Sequence, residues 1–401
     1  MWLKMSKNPI KEKNSANYSL ITLVLFWCGL IVMSSMYLTI PLFSSFSELF
    51  SVSGNEVALT STVFCIFFAI GCLIYGPLSD QYGRKKIILI GMGILTIITP
   101  LVGLLNNIHW IIAFRGLEGL AAATFSPVAL AYIAEIFPDT KKLTATGFLV
   151  TGFLMAGIIG QVISSFIVQY FSWNYIFLIM GLMYLITFGL IAIFLPYDNI
   201  QRPKNSVKES IKNIALLFKI RPLVLTLIVD VMLLMSMMCM YTALGYYLSG
   251  YPFYLSNQEI LYIRAVGVVG ILFAATSGIL AKKFHFFNII ISGLLISSIS
   301  IILIGLLSNI LLMTLFSVIF VAGIAIVAPS IIELIGQLGG KSKGAALSLH
   351  TVILFIGAGI GPILATYLLT TGINSLPYLV MGVALIIGAA ISILIKKSLQ
   401  K

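Results

Sequence analysis

The stretch Gly76-Pro77-Leu78-Ser79-Asp80-Gln81-Tyr82-Gly83-Arg84-Lys85-Lys86 sets one carboxylate and three successive cations between two long apolar runs. Those runs, at about 57–77 and 87–106, are each close to the ~20 apolar residues that a bilayer-crossing helix needs. An inner loop this short between two crossings fixes Arg84, Lys85 and Lys86 at one membrane face. Gly76 lets neighbouring helices approach closely, and Gly83 permits a turn that a residue with a Cβ resists. Asp80 stands four positions before Arg84, at an edge rich in cations and helix ends. There it can accept from that guanidinium or face the positive N-terminus of a neighbouring helix.

The rest of the chain has the same character. Of its 401 residues, 60% are hydrophobic and 9% charged, with mean hydropathy +1.11, whereas a soluble domain carries about 25% charged residues. So few charges cannot build a water-facing surface, which excludes a soluble enzyme, a secreted domain and a disordered chain. Apolar runs fall at about 20–40, 57–77, 87–106, 110–134, 143–167, 175–196, 222–247, 260–280, 287–306, 311–334, 344–369 and 376–395. They predict an all-α integral membrane protein with 12 transmembrane helices.

A net charge of +12 would suggest a nucleic-acid partner in a soluble protein; here its placement sets orientation. With the N-terminus in the cytoplasm, 22 of the 24 Lys and Arg fall in inner segments, from Lys4, Lys7, Lys11 and Lys13 to Lys396, Lys397 and Lys401. The outer connections hold none. By the positive-inside rule the chain is expected to be a multi-pass cell-membrane protein with both termini cytoplasmic. The first run reads as a retained span rather than a removed signal peptide. Cys28, Cys65, Cys72 and Cys239 all lie inside apolar runs and read as packing residues, not redox or metal groups.

Pro196, Pro203, Pro222 and six basic residues punctuate the longest inner segment, which divides the runs six and six. The expected organisation is a cytoplasmic segment 1–19, a bundle 20–196, a linker 197–221, a second bundle 222–395 and a tail 396–401. A weak repeat supports it. Gly76 and Gly91 fall on Gly278 and Gly293 at an offset of 202, and Lys142, Gly160 and Gly181 on Lys343, Gly361 and Gly382 at 201. Because six is even, both bundles enter the membrane in one orientation, the parallel repeat of transporters that enclose a site near the midplane.

Residues 76–86 resemble, position for position, the signature loop of the major facilitator superfamily, Gly-x-x-x-Asp-x-x-Gly-Arg-Lys/Arg-Lys/Arg. The resemblance implies two six-helix bundles working by alternating access, with Gly76, Asp80, Gly83, Arg84 and Lys85 as a latch at the inner gate. In the second half, Gly278-Ile-Leu-Ala-Lys282-Lys283-Phe284 keeps the glycine but has Lys282 where Asp80 stands, so the latch is asymmetric. Arg115-Gly-Leu-Glu118-Gly119 resembles the family's helix 4 motif, Arg-x-x-Gln-Gly, whose arginine is linked to proton transfer; here the glutamine position is acidic. The two side chains share a helical face and are costly in a membrane unless paired or hydrated. Burial and a neighbouring guanidinium pull a carboxyl's protonation in opposite senses. Glu118 is therefore a candidate proton carrier beside Arg115, a structural ion pair being the alternative.

Asp230, about eight residues into the seventh run, has no basic residue one turn away and is expected to face the aqueous cavity as a proton or cation site. Arg264 and His350 are weaker candidates, explained as readily by outward snorkelling and by packing.

Direction is less legible. The family's helix 5 antiporter motif, ending Gly-Pro-x-x-Gly-Gly, is degraded in Gly152-Phe-Leu-Met-Ala156-Gly157-Ile-Ile-Gly160-Gln161, while Gly361-Pro362 appears in the eleventh run. Tyr37-Leu-Thr-Ile-Pro41 resembles the drug-efflux branch. The methionines and tyrosines of the seventh run suit a promiscuous site for lipophilic or cationic ligands, or equally lipid-facing filler. Met36, Tyr37, Phe125, Met235, Tyr241 and His350 are the candidate cavity residues. The expectation is a transporter, not an enzyme, carrying out proton-coupled efflux of drugs or small lipophilic or cationic metabolites. Its energy source would be the proton gradient, with no cofactor, metal, nucleotide or nucleic acid, and its partners the substrate and the bilayer around a monomer. The alternative is proton-coupled export or uptake of one defined metabolite such as a sugar or siderophore. No Walker A loop supports ATP-driven pumping, and His109, His285 and His350 form no sequence cluster suited to a membrane-embedded enzyme.

Overall fold

The computed structural model describes residues 17–198 and 215–399. Most of the expected N-terminal segment, linker residues 199–214 and tail residues 400–401 lie outside them. The described residues form helices and connections without a strand, because lipid offers the backbone no hydrogen-bond partner and a helix satisfies its own groups. Among the described residues, twelve helices are long and apolar enough to cross a membrane: α1 Tyr18–Tyr37, α2 Glu56–Tyr82, α3 Arg84–Val102, α4 Ile108–Ile136, α5 Asp139–Tyr170, α6 Asn174–Phe194, α7 Arg221–Ser249, α8 Gln258–Ala281, α9 Phe286–Leu306, α10 Ile310–Leu338, α11 Lys343–Leu369 and α12 Leu376–Leu399.

Two six-helix bundles follow one another as a parallel repeat. Spans begin at Glu56, Arg84, Ile108 and Asn174, and again 202 positions later at Gln258, Phe286, Ile310 and Leu376. Glycine seams repeat with them. Gly152 and Gly160 of α5 rest on the Phe26 and Ser34 carbonyls of α1, and Gly357 and Gly361 of α11 rest on the Val231 and Met235 carbonyls of α7. A Cβ would stand 2.8 Å from the Ser34 oxygen at Gly160 and 2.6 Å from the Met235 oxygen at Gly361, closer than packing tolerates. In lipid, where no hydrophobic drive separates helix from solvent, such close approach supplies the dispersion contact that holds helices together. Gly152 and Gly160 of the helix 5 stretch are thus seam residues.

The stretch 76–86 is not a loop. α2 runs through Pro77 to Tyr82, Gly83 alone connects it at φ 106°, and α3 begins at Arg84. Counting apolar residues stops at Pro77, whereas the helix goes on because its polar last turn finds partners on neighbouring helices. Two other spans are irregular. α4 is Ile108–Ala122 followed by Ser126–Ile136, broken where Pro127 lacks a donor and crowds the preceding turn. α8 is assembled from Asn257–Val266, Val268–Ile271, the 3₁₀ segment Leu272–Thr276 and Ser277–Lys283. Both line the central cavity described next, and at membrane depth irregular backbone is tolerated only where protein or a cavity covers it.

Candidate transport site

At the basic ends of the helices Arg84 is buried, 1% exposed, despite its place in a cationic run. Its guanidinium pairs with Asp80 of α2 and Glu135 of α4, and Nη1 also donates to the Gly76 carbonyl at 3.2 Å. Its main-chain N–H donates to Asp198 Oδ2 at 2.7 Å. Lys85 is buried as well: its Nζ donates to the Ala192 carbonyl of α6 at 2.8 Å and stands 4.2 Å from the Tyr197 ring centroid. These two cations pin α3 to its bundle instead of facing water.

Across the bundle interface, Gly76 makes room for Ser348 of α11, and a Cβ on Gly344 would come within 2.8 Å of Arg84 Nη1. The Asp80 carboxylate therefore lies at the first turn of α11, the positive end of that helix. The second half repeats the glycine contact, Gly278 of α8 against Thr144 of α5, but its sequence has no acid at the place of Asp80. Asp80 and the first turn of α11 belong to different bundles, so an opening of the basic face would part them. For Asp80→Asn, turnover is expected to slow several-fold while substrate binding changes less; flux measured against substrate concentration checks this, and an unaffected maximal rate overturns the latch role.

Near mid-depth Arg115 and Glu118 are both fully buried, with Nη1 donating to Glu118 Oε2 at 2.8 Å. Arg115 also ties three helices together. Nε donates to the Thr60 carbonyl of α2 at 3.3 Å, Nη2 donates to the Ser35 carbonyl of α1 at 2.8 Å, and the guanidinium carbon lies 4.4 Å from the Phe64 ring centroid. Glu118 Oε1 has no hydrogen-bond partner among the described residues.

Asp230 does not stand unpaired in the cavity, as its sequence neighbours suggest. It is fully buried, and its Oδ2 lies 2.7 Å from Nδ1 of His350 on α11. The partner is 120 positions away, so no local pattern could show it. Asp230 Oδ1, like Glu118 Oε1, is without a partner among the described residues. Each bundle thus carries one buried acid with one oxygen engaged by a basic side chain and the other free.

A cavity of about 310 Å³ lies between the bundles, lined from α1, α4, α5, α7, α8 and α11. It runs from Ile40, 46% exposed, and Leu261 at the ends away from the basic face down to Leu130, Ile271 and His350. Toward the basic face, the two glycine contacts above close it across the interface, while at mid-height the Phe68 and Phe355 rings meet with centroids 5.0 Å apart.

Tyr37, Tyr241 and His350 line the cavity, whereas Met36, Phe125 and Met235 do not. Met36 and Phe125 are buried in helix packing, Phe125 in the break of α4 with its ring 6.3 Å from that of Phe153. Met235 sits on the seam with Gly361, about 100° of helical phase from the face that carries Met237 and Met238 to the cavity. Arg264, a weaker candidate that outward snorkelling explained as readily, lines the wall. A larger concavity of about 620 Å³ between α8, α9 and α10 lies away from this axis, and no charged residue lines it. The four cysteines are unpaired, and among the described residues no group of His, Cys, Asp or Glu forms a metal cluster.

Two repeated bundles around one cavity, shut at one face and lined at the other, are the build of a membrane transporter. The chain belongs to the Major Facilitator Superfamily, which residues 25–344 match. It is 28% identical over 390 residues to an uncharacterized transporter of Buchnera aphidicola subsp. Schizaphis graminum, covering 95% of this chain and 93% of that one. It is also 34% identical over 152 residues to the multi-drug resistance efflux pump PmrA of Streptococcus pneumoniae, 37% and 38% of the two chains. Among solved structures, the human organic anion transporter MFSD10 superposes with a TM-score of 0.76 at 14% identity, over 94% of this chain and 99% of that one, a likeness of fold.

Proposed function

We propose that the chain exports small lipophilic molecules across the cell membrane by alternating access, driven by protons entering against the substrate, with both termini in the cytoplasm. The observation that carries this reading is Glu118, an acid in a membrane helix whose one oxygen is held by Arg115 and whose other oxygen has no partner among the described residues. Such acids are costly in a bilayer and mark ion or proton paths. α4 bears this acid and also supplies Ser126 and Leu130 to the cavity, so one helix couples protonation to the substrate path. Asp230 and His350 are the second proton site: His350 lines the cavity and passes its state to an acid sealed behind it. Export is supported by Tyr37-Leu-Thr-Ile-Pro41 at the end of α1, which resembles the drug-efflux branch, together with the multidrug relative, to which about a third of the chain is similar.

A panel of drugs, organic ions and sugars assayed in inverted vesicles with an imposed proton gradient tests direction, coupling and substrate together. Accumulation of a lipophilic compound that collapses with the gradient is the expected result; uptake of a sugar driven in the opposite sense overturns export. In the same vesicles Asp230→Asn is expected to flatten the pH dependence of flux, and His350→Gln to do so in part; an unaltered pH profile in both removes the pair from the proton path.

A further inference from the structure

The cavity wall carries one full positive charge that no carboxylate answers. Arg264, in the first segment of α8, donates from Nη2 to the Tyr241 carbonyl of α7 at 2.8 Å. Its Nε is buried without a partner, and no acid among the described residues pairs with it. The Tyr241 hydroxyl, seated at Gly267 further along α8, is likewise buried and unpartnered. Two glycines seat these groups. Gly245 of α7 leaves the space that the guanidinium fills, and Gly267 of α8 leaves the space that the Tyr241 hydroxyl fills; a Cβ at either would collide. Each helix lends a glycine to the other's polar residue, and the pair is held against the wall rather than left to swing out of the membrane.

A guanidinium offers five N–H donors, and Arg264 spends one of them on the protein. A cation at this depth is expensive until something compensates it. None of the residues lining the cavity is Asp or Glu. The other basic side chain on the wall, His350, has its Nδ1 engaged by Asp230, whose carboxylate lies behind it. The remaining surface is mostly apolar, with Phe153, Met237, Met238 and Leu354 facing the cavity. A cationic ligand would meet like charge here, whereas an anion would complete a bond network already laid out.

We propose that the cavity takes a small amphipathic organic anion, its carboxylate or sulfonate held by Arg264 and the Tyr241 hydroxyl and its apolar body resting on Phe153, Met237 and Met238. The proposal rests on the transporter reading above and gives that substrate its charge, turning the expectation of cationic ligands to anionic ones. The 310 Å³ volume stands at the lower end of the ~300–1,000 Å³ typical of small-molecule sites, which suits a compact ligand.

The test is a matched ligand set titrated calorimetrically into the full-length protein in lipid nanodiscs: 2-naphthoate, 2-naphthalenesulfonate, 2-naphthamide and 2-naphthylmethylammonium. The two anions are expected to bind about tenfold or more tighter than the amide and the ammonium. Arg264→Gln should remove that advantage by bringing the anions down to about the amide's affinity, Arg264→Lys should keep part of it, and Tyr241→Phe should cost the anions a smaller factor. A merely structural Arg264 would weaken the amide as well. Anions that bind no tighter than the amide or the ammonium, or an advantage that survives Arg264→Gln, overturn the proposal. Flux in proteoliposomes separates this failure from that of the transporter reading. Arg264-dependent naphthoate binding without flux under any gradient fails the transporter reading alone, and ammonium flux that ignores Arg264 fails the anion site alone.

Discussion

Vesicles carrying Glu118→Gln are expected to lose pH-driven substrate movement to background while the protein is still made, folded and able to exchange substrate downhill. The substitution keeps the side chain's shape and an oxygen for Arg115, so the guanidinium retains its bonds to the Thr60 and Ser35 carbonyls and the α1·α2·α4 junction stays tied. What it removes is a group that can gain and lose a proton. The contrast with Arg115→Ala is informative. Deleting the cation would strand a carboxylate at 0% exposure, a fault that costs about 3–5 kcal/mol in comparable buried pairs, and lost transport would then report misfolding. Undiminished gradient-driven flux in Glu118→Gln would eliminate this acid as the proton carrier and shift the role to Asp230.

Arg84→Ala is expected to have the largest effect on the closed basic face. Its guanidinium stands between the Asp80 and Glu135 carboxylates and reaches the Gly76 carbonyl. Removing it leaves two acids facing each other at the first turn of α11. Because those acids are 24% and 19% exposed, water softens the penalty, and a loss of about 2–4 kcal/mol is expected rather than the full cost of a sealed site. The thermal midpoint of the purified protein should fall by several degrees, and a cysteine placed at Ser348 should become more reactive to a membrane-impermeant thiol reagent from the basic side. An unchanged midpoint with unchanged Ser348 reactivity would mean that the ion network does not hold the face shut.

The architecture was legible because a bilayer leaves a chain few options: a crossing must be helical and about 20 residues long, and cations mark one face. The Arg115–Glu118 pair was legible for a local reason, since the two stand three positions apart on one helix. The Asp230–His350 pair was not, because its members come from helices that meet only in the fold, and a search one turn either side of Asp230 finds no base. The Asp80–Arg84 pairing was legible from a spacing of four, but the further partners Glu135, Ala192 and Asp198, which bury Arg84 and Lys85, come from distant helices and connections. The methionines of α7 occupy more than one of its faces, so composition alone could not tell the seam residue Met235 from the cavity residues Met237 and Met238. Arg264, near a helix end, was as readily explained by outward snorkelling, and only the space left by Gly245 shows why it turns in.

Gly83 has a mechanical consequence. A hinge of one residue between two membrane-long helices has almost no slack, so a tilt of α2 is delivered at once to α3, and through Asp198 and Lys85 to the end of α6. The first bundle is accordingly built as one stiff unit, and any movement of one bundle against the other falls to the interface where α11 leans on α2.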